Sequence, residues 1–151
     1  MANNNILVPI DGSDTSLSAL KQAAILVNAL GSKLIVISIV EENPFVNADF
    51  YYFGADSSTM KEYFDEACKN AKAALLAAQK LCEDLGVNDA EIKMIKGEVS
   101  ATTILKTAEE LNSNLIIMGS HGRKGVQKLA LGSVAEDILL HSPLPVLIVK
   151  Q

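Results

Sequence analysis

The residues with the most chemical potential sit in one stretch: Gly119-Ser120-His121-Gly122-Arg123-Lys124-Gly125-Val126-Gln127-Lys128-Leu129-Ala130-Leu131-Gly132-Ser133. It holds four of the nine glycines in the chain, and Arg123 is the only arginine. Arg123, Lys124 and Lys128 lie in it with no acidic residue, although the whole chain carries a net charge of −5. Glycine lets a backbone approach a ligand closely. A helix beginning near Ser133 would add unpaired N–H groups and a partial positive charge. That combination suits an anion, phosphate above all. A second group is Asp11, in Pro9-Ile10-Asp11-Gly12-Ser13. Its carboxylate could accept hydroxyl groups or help hold a divalent ion, or simply form a turn. His121 is better explained as a loop histidine satisfied by solvent or backbone than as a general base. His141 fits the C-terminal end of a helix, where the dipole favours a cation.

Common phosphate loops do not account for the glycines. There is no G-x-x-x-x-G-K-[ST] sequence and no G-x-G-x-x-G fingerprint, which disfavours P-loop hydrolysis and ordinary dinucleotide binding. The spacing present is Gly119, two residues, Gly122, nine residues, Gly132-Ser133.

The elements that must position these groups alternate between β-rich runs and helical periodicity, the pattern of a parallel sheet covered by helices. Strands are expected at Ile6–Ile10, Leu34–Val40, Ile92–Lys96, Leu115–Met118 and Val146–Val149. Leu34–Val40 and Leu115–Met118 are continuously apolar, as strands buried on both faces should be. Ile92 and Met94 alternate with Glu91 and Lys93, which predicts an edge strand or one with a wet face. Leu17, Leu20, Ala24 and Val27 predict a helix stopping at Gly31, and Met60 to Leu85 a long amphipathic one. Ser100 is an N-cap candidate for a third helix, and a fourth surrounds Val134–Leu140. The expectation is one domain spanning residues 1–151, an α/β doubly wound open parallel five-stranded sheet with four helices. Right-handed connections with Ile92–Lys96 at an edge give strand order 3-2-1-4-5. Ligands then bind at the carboxyl ends of strands one and four, where that order reverses. The loops meeting there are Ile10–Thr15 and Gly119–Ser133.

At this point the chain resembles the universal stress protein family, in its ATP-binding branch. The resemblance runs over essentially the whole length. It is carried by Val8-Pro9-Ile10-Asp11-Gly12-Ser13, by Met118-Gly119-Ser120-His121-Gly122-Arg123, by the glycine spacing ending at Gly132-Ser133, and by Pro143–Val149. It implies a Rossmann-like, adenine-nucleotide α-hydrolase-like fold and an ATP site. Ile39 matches the position whose main chain holds adenine, and Asp11 the aspartate near ribose and phosphates, with Pro9 shaping that turn. Met118 and Gly119 match ribose-side contacts. Gly122, Gly132, Ser133 and Val134 match the phosphate cradle, with Arg123 placed to join it. Mg²⁺ or Mn²⁺ is expected to bridge the phosphates, with Asp11 the one protein group that could reach it. Family members often carry histidine where this chain has Ser38, which leaves a main-chain contact to adenine unaltered.

Composition narrows the partners. A net charge of −5 argues against non-specific nucleic-acid binding. No apolar run approaches the ~20 residues that span a bilayer, and the first residues lack a basic n-region, so a cytoplasmic protein is expected. Cys68 and Cys82 fall on one predicted helix, ~21 Å apart along its axis, too far for a bridge. No nucleophile–base pair or metal-ligand cluster stands out. The expected role is therefore regulatory, in a stress response, with slow ATP hydrolysis or autophosphorylation at most. The alternative is a protein-interaction module with a vestigial nucleotide site; an enzyme of the wider superfamily has less support. All seven aromatic residues fall between Phe45 and Phe64; they either fold onto the core or form a lid or partner surface. The apolar last strand needs cover, and a homodimer through Val146–Val149 is expected, as the family commonly forms.

Overall fold

The computed structural model describes residues 4–41, 57–121 and 131–150. Five strands and four helices alternate through it: β1 (Asn5–Pro9), α1 (Asp14–Leu30), β2 (Lys33–Val40), α2 (Ser57–Asp84), β3 (Glu91–Lys96), α3 (Ala101–Glu110), β4 (Leu115–Gly119), α4 (Ser133–His141) and β5 (Val146–Val149). The sheet is parallel throughout, in the order β3-β2-β1-β4-β5. Both fold class and strand order are as expected. The largest boundary difference is at α2, which starts at Ser57 rather than Met60.

Side chains alternate across the strands and feed two cores. Ile6, Val8, Leu34 and Val36 pack beneath α1 and α2, against Leu20, Ala24, Leu75 and Ala78. Leu7, Ile35, Ile37 and Ile116 pack on the opposite face against Ile104, Ala108 and Ile138 of α3 and α4. Burial on both faces explains why β2 and β4 are nearly continuous in Ile, Leu and Val. The edge at β3 is charged instead: Lys33 Nζ lies 2.7 Å from Glu91 Oε1, and the lysine lowers the Glu91 carboxyl below its ordinary range through that hydrogen bond. At the other edge β5 is apolar, with Leu147 exposed.

Cys68 and Cys82 both lie on α2 and both are free thiols; burial pushes the Cys82 thiol up. Among the described residues no helix is long and apolar enough to cross a membrane.

Candidate functional site

In an open parallel sheet of this order a crevice is expected at the carboxyl ends of the central strands, where the order reverses, and the pairing registers agree with that place. β1 pairs with β2 over five positions, Asn5–Lys33 to Pro9–Ile37. It pairs with β4 over only two, Ile6–Leu115 and Leu7–Ile116. Main-chain groups of a strand alternate between neighbours, and here the odd residues of β1 turn toward β4: Asn114 N donates to the Asn5 carbonyl at 2.8 Å. Beyond Leu7, which is still paired, the next donor on that side would be residue 9. Pro9 has no N–H, so the ladder ends there and β1 and β4 diverge. Proline thus does more than shape the turn; it stops the pairing where the strand order reverses.

The same bookkeeping places Ile39. The Ile37 carbonyl accepts from Ile10 N at 2.8 Å, toward β1, and the Val40 carbonyl accepts from Gly97 N at 2.9 Å, toward β3. By alternation the N–H and C=O of Ile39 turn to the β1 side, beyond the last β1 partner at Pro9–Ile37. A donor and an acceptor on one residue, past the end of the neighbouring strand, can engage the edge of a planar heterocycle. The Ile39 side chain packs on the α3–α4 core, which holds the strand while leaving its main chain to the crevice.

On the β1 bank, Asp11 begins a tight turn. Its Oδ1 accepts from Ser13 N at 2.9 Å, and Gly12 takes a φ of 84°, a conformation glycine adopts without a Cβ penalty. Ser13 is the N-cap of α1, its Oγ accepting from Ser16 N at 3.2 Å. Asp11 is therefore both turn former and a carboxylate at the mouth of the crevice.

The other bank is β4 and the segment after it. Gly119 has a purpose the spacing did not disclose: a Cβ there would lie 2.9 Å from the Thr15 carbonyl carbon and 2.9 Å from Thr15 Cβ. Its missing side chain admits the first turn of α1, so close approach by the protein itself already requires glycine. Ser120 N donates to the Val149 carbonyl at 3.0 Å, and the Ser120 carbonyl accepts from Gly132 N at 2.7 Å. These bonds hold the two ends of the intervening segment together. Gly122, Arg123, Lys124 and Lys128 lie outside the described residues, as does the aromatic stretch from Phe45 to Phe53.

Gly132 is the N-cap of α4, with φ −65° and ψ 155°, and among the described residues no side-chain hydrogen bond caps this end. The first internal bond is Glu136 N to the Gly132 carbonyl at 2.9 Å. The amides of Ser133, Val134 and Ala135 precede it, and the exposed Ser133 hydroxyl stands beside them. Orphan helix amides with a partial positive charge form an anion-binding end.

His121 departs from its expectation. Its Nδ1 lies 3.0 Å from Ser120 Oγ, a side-chain rather than a backbone or solvent partner, and its Nε2 is buried with no hydrogen-bond partner among the described residues. His141 sits in the last turn of α4, as expected, its Nδ1 2.9 Å from the Asp137 carbonyl oxygen. Among the described residues no group of three or more His, Cys, Asp and Glu side chains could hold a metal ion.

Comparison with known proteins fits this geometry. The sequence model of the universal stress protein family matches residues 2–150. The chain is 34% identical to a universal stress protein of Methanocaldococcus jannaschii over 147 residues, 97% of this chain and 81% of that one. Its fold superposes on the universal stress protein UspA from Lactobacillus plantarum with a TM-score of 0.82 at 22% identity, covering 97% of each chain. A universal stress protein solved in complex with cAMP gives a TM-score of 0.71 at 26% identity, covering 99% of this chain and 98% of that one. A match along nearly the whole chain, agreeing with sheet order and crevice, settles its kinship: the protein is a member of the universal stress protein family.

Proposed function

We propose that this protein binds ATP at the carboxyl ends of β1 and β4 and acts as a nucleotide-dependent regulatory protein in a stress response. One observation carries the reading: β1 pairs with β4 over only two positions at the point where strand order reverses, and the helix that follows β4, α4, begins at Gly132 with no side-chain cap hydrogen bond among the described residues. Adenine would engage Ile39, and the ribose would lie between Asp11 and the Met118–Gly119 strand end. The phosphates would reach Gly132, Ser133 and Val134, with Gly122 and Arg123 completing the cradle as the family resemblance implies. A relative in complex with cAMP supports an adenine nucleotide in this fold.

A divalent ion, Mg²⁺ or Mn²⁺, would be held mainly by the phosphates and would neutralise their charge, with Asp11 the protein carboxylate nearest in sequence to that task. Slow hydrolysis or autophosphorylation would be the limit of any chemistry, and the setting would be cytoplasmic. β5 completes the proposal: an exposed apolar edge invites a partner strand, and a second copy pairing through Val146–Val149 would cover it in a two-fold dimer.

Native mass spectrometry on freshly purified protein, then titration with ATP and Mg²⁺, tests the whole reading. The expected species is a dimer carrying one ATP per chain. Apoprotein that ignores millimolar ATP would overturn the nucleotide site and leave an interaction module. A monomer at micromolar concentration would overturn the β5 dimer alone.

A further inference from the structure

The two banks of the crevice are joined by one side chain that neither the glycine spacing nor the Pro-x-Asp turn includes. Thr15, in the first turn of α1, is buried at 7% exposure. Its Oγ1 donates to the main-chain carbonyl of His121 and lies 3.3 Å from Ser13 Oγ. A hydroxyl has one proton. Because the Thr15 proton is committed to His121, the contact with Ser13 must run the other way, Ser13 O–H to Thr15 Oγ1. Ser13 N–H is in turn donated to Asp11 Oδ1. Ser13 thus donates both ways, its N–H to the Asp11 carboxylate and its O–H to Thr15, and Thr15 donates on to the carbonyl of His121, two residues past the end of β4. Gly119, with no Cβ, lets Thr15 come close enough to make this bridge.

We infer that Thr15 is the positioning residue that registers His121, and with it the chain leaving β4, against the Asp11 turn, and so sets how much a triphosphate gains over a monophosphate. The inference rests on the nucleotide reading above and deepens it. Thr15 would touch no part of the ligand. It would act by holding the His121 carbonyl, and with it the base of the segment tied through Ser120 to Gly132 at 2.7 Å.

The test compares wild type with Thr15→Val, which keeps the shape and removes the donor, and Thr15→Ser, which restores it. Affinities for MgATP and AMP are measured by calorimetry, with amide exchange followed in the ligand-free protein. In Thr15→Val the preference for MgATP over AMP should fall about three- to tenfold, the span of one lost hydrogen bond, and Thr15→Ser should recover it. Exchange at Gly132 N–H should quicken in Thr15→Val. Exchange at Lys33 N–H, bonded to the Asn4 carbonyl at the opposite end of the sheet, should not. An unchanged MgATP-to-AMP ratio with unchanged Gly132 exchange refutes the role. Equal losses for both nucleotides, with exchange rising at Gly132 and Lys33 alike, make Thr15 a packing residue and refute it too. Wild type that binds neither nucleotide removes the nucleotide reading, and the exchange experiment then decides alone whether Thr15 holds the segment.

Discussion

Two helix N-termini converge on Ser120 and His121, and they are finished in opposite ways. At α1 the end is closed. Ser13 Oγ accepts from Ser16 N, Ser16 Oγ donates to the Ser13 carbonyl at 2.9 Å, and Thr15 reaches across to His121. At α4 the end is left open: Gly132 stands at the cap with no side chain to offer. α3 is closed like α1, Ser100 Oγ accepting from Thr103 N at 3.3 Å. The open end is thus a departure from the chain's own practice, at the position where strand order reverses. The difference separates two kinds of positive helix end: one whose amides serve the fold, and one that, on the proposed reading, would receive an external anion.

If the α1 end serves the fold, damage there should register as lost stability. Gly119→Ala should produce the largest change. The added methyl would press on the main chain of Thr15, which cannot rotate aside, and overpacking of this kind costs about 1–3 kcal/mol. Urea unfolding would show it; a loss under about 0.5 kcal/mol would mean α1 shifts freely and the closed end is not rigid. Ser13→Ala should follow, at about 1 kcal/mol for loss of an N-cap. Ser133→Ala should leave the urea midpoint nearly unmoved while weakening ATP binding. Equal stability losses for the two serines would erase the contrast between the helix ends.

Much of the scaffold is legible in the sequence because local composition determines it. β2 and β4 announce themselves by unbroken apolar runs, and Gly31 at φ 67° closes α1 as the pattern predicts. The strand order follows from the charged face of β3 and the handedness of parallel connections. The meeting of the start of α1 with the end of β4 is legible at the same level, since it needs only that order. What escapes is whatever depends on two distant residues touching. The missing Cβ of Gly119 reads in sequence as room for a ligand, and the fold also uses that room to admit Thr15, across 104 positions in the sequence. Thr15 carries no periodicity or motif signal, since its partner at His121 lies 106 residues away. Ile39 is intermediate: the resemblance named it, but its turn toward the crevice depends on β1 stopping two positions short, which only the register reveals. Pro9 held a readable clue to that, as a residue unable to continue the β4 ladder.

The open end can be closed deliberately. Gly132→Asp would place a capping carboxylate at the N-terminus of α4, where Asp is among the preferred residues. A negative charge there also complements the helix dipole. Stability should rise by a few tenths to about 1 kcal/mol in urea unfolding. If phosphate uses these amides as proposed, the same carboxylate would occupy them and repel it, so MgATP affinity should fall by about tenfold or more, the equivalent of 1.4 kcal/mol. A more stable protein that binds ATP less well is the expected signature of a site kept open at some cost to the fold. A variant that gains stability and retains full affinity would show that phosphate does not use this end.

The smallest effect lies at the far end of the sheet and supplies a change with no site component. Glu91 accepts from Lys33 at 2.7 Å; that hydrogen bond, and then the lysine charge, holds its carboxyl below the usual range. A carboxylate depressed in the folded state contributes stability above its unfolded value, about 4.3, and loses it as pH falls through the lower folded value. Both side chains are more than a third exposed, at 45% and 38%, so the contribution should stay within the few tenths of a kcal/mol typical of exposed pairs. Urea midpoints of wild type and Glu91→Gln, compared at pH 7 and pH 3, should differ more at pH 7, with the gap narrowing in 1 M salt. ATP affinity should be the same in both proteins. A change in affinity would mean that this edge communicates with the crevice, and the two helix ends could no longer be treated as the local devices their geometry makes them.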